Sequence, residues 1–63
     1  MTNEEFINEC EKQMAKRKVL KSGLYDKYKS AAETERFSIG CQISKIDYEI
    51  GAINNLINEL RRA

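Results

Sequence analysis

The sequence predicts an all-helical fold: an antiparallel helical hairpin that assembles into a dimeric or higher-order helical bundle. Three observations carry that reading. Seven apolar side chains, Ile39, Ile43, Ile46, Ile50, Ile53, Ile57 and Leu60, recur at spacings of four, three, four, three, four and three. At about 100° per residue they fall in a stripe roughly 100° wide, the width that one packed neighbour requires. No proline interrupts the chain, and Ser22-Gly23 is the strongest local break signal ahead of that stripe. Finally, the chain has 63 residues, near the length at which one copy buries only about 60% of its unfolded surface. So small a fold calls for cross-links, a metal or other chains.

The first helix is expected over residues 3–21. Thr2 followed by Glu5 fits a capping box, and Phe6, Ile7, Cys10, Met14 and Leu20 recur on one face. Gly23 suits the left-handed position after a helix, with Leu24 folding back on Val19 in a Schellman ending. Ser30 and Glu33 give a second capping-box signature, placing the second helix over residues 31–62, with a start as early as residue 24 also open. The whole chain, residues 1–63, reads as one domain.

These bounds make the second helix about 48 Å long against about 28 Å for the first, at 1.5 Å per residue. Ile50, Ile53, Ile57 and Leu60 would then lack a partner within the chain. Exposing four such side chains costs roughly 1.5–3 kcal/mol each. The far side of the same helix carries a second series, Phe37, Cys41, Ser44, Tyr48, Gly51 and Asn55, spaced four, three, four, three, four. Small residues in it admit a close backbone, and the aromatics supply area. Both arguments assign Phe37, Cys41, Ser44, Tyr48, Ile50, Gly51, Ile53, Asn55, Ile57 and Leu60 to a homo-oligomer interface of coiled-coil type.

Composition narrows the chemistry. There is no histidine, so nothing is at hand to activate a serine or cysteine, and the three glycines stand singly instead of forming a phosphate loop. Two cysteines, Cys10 and Cys41, make no disulfide scaffold, and the carboxylates are scattered. The expectation is a non-enzymatic protein without metal or cofactor, its thiols reduced. The acidic start Thr2-Asn3-Glu4-Glu5 is unlike a secretory leader, and no run approaches the roughly 20 apolar residues of a membrane span. A cytoplasmic protein with no membrane association is expected.

The net charge is +1, yet it is unevenly placed: Lys12, Lys16, Arg17, Lys18, Lys21, Lys27 and Lys29 stand against Asp26 alone between residues 12 and 30. Arg17 lies on the apolar face between Met14 and Leu20. For a turn near residue 26 it stands level with residue 35, so an internal pair with Glu35 is expected. The alternative is an anion or partner site at the elbow, built from Arg17, Lys21, Tyr25, Lys27 and Tyr28, where bases and tyrosines would neutralise and stack a nucleotide or nucleic acid.

The sequence therefore reads first as a small oligomeric adaptor or inhibitor that sequesters a partner protein, the sort of product that accessory genes of phages and plasmids encode. The second reading is a binder of nucleic acid or a nucleotide signal through the basic elbow. In length and architecture the expected dimer resembles the two-helix RNA-binding hairpins of plasmids; no sequence motif is shared.

Overall fold

Thr2 starts the first helix as its N-cap: the hydroxyl oxygen accepts from the backbone N–H of Glu5 and donates to the Glu5 carboxylate, both at 3.2 Å. Glu4 and Glu5 complement the positive end of the helix dipole. In the computed structural model, which describes residues 2–62, two helices follow: α1 over Asn3–Ser30 and α2 over Glu33–Arg62. They pack against each other as an antiparallel hairpin joined at Ala31-Ala32.

The turn is not at Ser22-Gly23. Helix α1 runs straight through Gly23, which has no positive φ, so neither a Schellman ending nor a chain reversal occurs there. The phase of the first helix explains why. Ile7, Cys10, Met14, Arg17, Lys21, Leu24, Tyr28 and Ala31 are spaced three, four, three, four, three, four, three, and that register passes through the glycine unbroken. One glycine costs a helix about 1 kcal/mol relative to alanine, less than the burial gained by extending the seam. Gly23→Ala should therefore raise stability by about 0.5–1 kcal/mol, since a Cβ there meets nothing within 4 Å. Thermal or urea unfolding followed by circular dichroism checks this; a loss of stability would indicate the left-handed turn instead.

The connection itself has no glycine and no left-handed residue. Ala31 is extended (φ −82°, ψ 152°), its N–H donates to the Tyr28 carbonyl at 3.4 Å, and the Ala32 carbonyl accepts from the N–H groups of Glu35 and Arg36 at 3.0 and 2.9 Å. Ser30 ends α1 instead of capping α2, its hydroxyl donating to the Lys27 carbonyl at 3.4 Å. The expected start of α2 at or before residue 31 is thus corrected to Glu33. Alanine is the best helix former, so tertiary packing decides this break: a turn at residues 31–32 brings the two seams into overlap along their whole length.

Nearly equal helices follow, 28 and 30 residues, or about 42 and 45 Å at 1.5 Å per residue. The large inequality expected from the sequence, about 20 Å at 1.5 Å per residue, is reduced to two residues. Among the described residues Ile57 is the most deeply buried, 2% exposed, with Ile43 and Cys10 the other members of the core. Ile46, Ile50, Ile53 and Leu60 are half-buried in the same seam. On α1, Phe6 and Leu20 fall off the seam and are exposed.

Arg17 and Lys21 occupy seam positions, so the core is two apolar segments separated by a polar waist. Arg17 Nε lies 3.4 Å from Glu49 Oε1, and its Nη1 donates to both the backbone and side-chain oxygens of Gln13. The expected Arg17–Glu35 pair is replaced by Arg17–Glu49. Moving the turn from about residue 26 to residue 32 shifts the residue opposite any point on α1 by about twice that displacement. Partly exposed pairs of this kind contribute about 0.2–1 kcal/mol. A double-mutant cycle on Arg17 and Glu49 should show coupling of that order, and a cycle on Arg17 and Glu35 none. The reverse pattern would restore the shorter hairpin.

Candidate interaction surface

Two surfaces were candidates from the sequence, and the fold treats them differently. The elbow group does not converge. With α1 unbroken, Arg17, Lys21, Tyr25 and Tyr28 are strung along one rod over about 16 Å, and Lys27 is exposed on its flank. Arg17 is held by Glu49, and Lys21 Nζ donates to Asp47 Oδ1. That hydrogen bond holds the Lys21 ammonium pKa above its ordinary value, an effect that supports folding below the ordinary lysine range and fades as pH rises through the raised one. The Arg36 guanidinium sits 5.5 Å from the centre of the Tyr28 ring, closing the turn end of the hairpin.

Arg36, Asp47 and Glu49 were not singled out by the sequence reading. Each becomes visible once the turn is set at residues 31–32, because each then stands level with its partner on α1. The ion pair of Glu11 with Arg61 at 3.6 Å, near the open end, obeys the same alignment. Among the described residues Lys12, Lys16, Lys18, Lys27 and Lys29 make no ion pair, and they are distributed around α1 instead of along one line. No three His, Cys, Asp or Glu side chains among the described residues gather as metal ligands would. No described helix is long and apolar enough to cross a membrane.

The second surface is the outer side of α2. Ile50, Ile53, Ile57 and Leu60 belong to the seam with α1, so the length argument that assigned them to another chain no longer holds. The remaining series is different: Phe37, Cys41, Ser44, Tyr48, Gly51 and Asn55 are all exposed, and they face away from α1. Phe37 and Tyr48 are each 79% exposed. Between and beside them stand Gly40 and Gly51, where a Cβ would meet nothing within 4 Å. Nothing inside the hairpin requires glycine at either position, and each weakens the helix by about 1 kcal/mol relative to alanine.

At the turn end this face opens into a groove of about 530 Å³ lined by Tyr28, Arg36, Phe37, Gly40, Cys41 and Ser44. Cys41 is exposed on it, whereas Cys10 is buried in the seam; neither is in a disulfide. A smaller apolar area lies on α1, where Val19 and Leu20 are 73% and 59% exposed among lysines. No protein-family model, curated protein or solved structure gives a significant match to this chain.

Proposed function

We propose that this protein is a non-enzymatic, oligomeric helical adaptor or inhibitor: hairpins assemble through the outer face of α2, and the assembly binds and sequesters a partner protein. The observation that supports it is the pair Phe37 and Tyr48, each 79% exposed on the side of α2 opposite the core. Large aromatics are the residues that anchor protein interfaces, especially where small neighbours let another backbone approach. The elbow offers less to a nucleic acid, because Arg17 and Lys21 are engaged by carboxylates of α2.

A photo-crosslinking residue placed in turn at Phe37, Tyr48, Val19 and Leu20 of the full chain tests this in the native host. The expected result is an adduct between two copies of this chain at Phe37 and Tyr48 and an adduct to a defined second protein at one or more of the four positions, unchanged by nuclease or by moderate salt. Adducts that disappear with nuclease, together with binding of short RNAs that falls steeply with salt through counterion release, would overturn it in favour of the nucleic-acid reading.

A further inference from the structure

We infer that the occupant of the outer α2 face is a second copy of this chain, laid antiparallel in the register that sets Phe37 opposite Asn55, Cys41 opposite Gly51 and Ser44 opposite Tyr48. The inference rests on the proposed assembly through this face and specifies its geometry. Three observations point to it.

The first is area. The chain exposes 4918 Å², about 700 Å² more than the roughly 4200 Å² expected of a compact protein of its mass. That excess is close to the ~800 Å² that each partner gives to an ordinary stable interface. It follows from shape: the hairpin is a rod, 46 × 14 × 13 Å, with a radius of gyration of 14.6 Å against about 11 Å for a compact chain of this length. A second rod alongside reduces the excess in both copies.

The second is self-complementarity. Antiparallel pairing about Ile46 places every bulky residue of the series against a smaller one: Phe37 on Asn55, Tyr48 on Ser44, Cys41 on Gly51. Side chains can then interdigitate at the density of a protein interior. A parallel pairing sets Phe37 on Phe37, Tyr48 on Tyr48 and Gly51 on Gly51, crowding two levels and leaving a void at a third. A two-fold axis also makes the interface close on itself, with the same patch used by both copies.

The third is the orientation of the helix dipoles. In the antiparallel register the acidic first turn of one α2, with Glu33 and Glu35, lies at the same end of the interface as the basic last turn of the other copy, with Arg61 and Arg62; the residue level with Glu33 is Glu59, and Arg62 lies one turn beyond it. The positive end of each helix dipole then lies beside the negative end of the other, which is favourable. Because the outer face lies roughly opposite the seam, the product is a flat layer of four helices ordered α1, α2, α2, α1, and not a square bundle.

Cysteine cross-linking distinguishes the orientations. In the antiparallel register two Cys41 residues are about 15 Å apart along the helix axis, ten residues at 1.5 Å each, beyond the ~7 Å between Cα atoms that a disulfide spans. Two variants of the full chain are oxidised under mild conditions at micromolar concentration: Cys10→Ala, which keeps Cys41, and Cys10→Ala with Gly51→Cys. The helicity of each is checked first by circular dichroism.

The first should stay largely uncross-linked while sedimenting as a dimer. The second should convert almost completely to a covalent dimer through two Cys41 to position 51 bonds, identified by mass spectrometry of the peptides. Efficient Cys41–Cys41 cross-linking in the first variant would overturn the orientation while leaving assembly through α2 intact. A wild-type monomer in sedimentation equilibrium at tens of micromolar would overturn both the dimer and the proposed assembly, and the photo-crosslinks alone would then judge partner binding.

Discussion

Replacing Ile57 by aspartate should unfold most of the protein at 25 °C. Ile57 is 2% exposed, in the same part of the seam as the other best-buried residue of the open end, Cys10. Truncating a buried isoleucine to alanine costs about 2–5 kcal/mol, and a carboxylate there adds the cost of removing a charge from water. A chain of this length has a total stability of roughly 3–9 kcal/mol at 0.05–0.15 kcal/mol per residue. Far-ultraviolet circular dichroism should show a large loss of helix, and Ile57→Ala should give an intermediate urea midpoint. A helical, cooperatively unfolding Ile57→Asp variant would mean that the seam is not packed as described.

Tyr48→Glu should have the opposite signature. The side chain is 79% exposed in the single hairpin and touches neither the seam nor the polar waist, so helix content at low concentration should be unchanged. Association should weaken strongly, because in a two-fold dimer each substitution acts twice, replacing two aromatics by two carboxylates. Interface aromatics commonly contribute 2 kcal/mol or more, so the dissociation constant should rise by about 100-fold or greater. Phe37→Asp should behave alike. Sedimentation equilibrium read beside circular dichroism separates the cases. Loss of helix at all concentrations would place Tyr48 in the fold, and an unchanged association constant would remove it from the interface.

The contrast between these two positions shows what could be seen in the sequence. The stripe from Ile39 to Leu60 was legible because seven large aliphatic residues repeat in phase, and α2 follows it. The N-cap at Thr2 was legible because capping is local chemistry. The turn was not. Ser22-Gly23 carries the residues that usually end a helix, and Ala31-Ala32 carries those that usually continue one, yet matching two long seams outweighs about 1 kcal/mol of local preference. The clue was phase: a real break at Gly23 would have released Leu24, Tyr28 and Ala31 from the register of Ile7, Cys10 and Met14, and they keep it.

The error in the turn also carried into the candidate site. Arg17 stands on the inner face, as its spacing predicts, but its partner depends on where the chain doubles back: a turn near residue 26 predicts Glu35, and the turn at residues 31–32 brings Glu49. The convergence imagined for Arg17, Lys21, Tyr25, Lys27 and Tyr28 required the same early reversal and disappears with it. The outer series of α2 depends only on the phase within one helix, so its exposure could be read without knowing the turn at all.

The distribution of burial bears on how the hairpin forms and opens. The connection is two residues long and its neighbours meet at little cost in chain entropy, but the best-buried side chain, Ile57, lies at the other extreme of the rod, where contacts join residues some 50 positions apart. Pairing can begin beside the turn within microseconds, as local helical contacts do, yet two of the three core residues, Cys10 and Ile57, are buried only when the mouth closes. The molecule is latched where the chain ends come together and looser at the hinge, so slow amide hydrogen exchange should concentrate around residues 53–57 and decline toward residues 33–37.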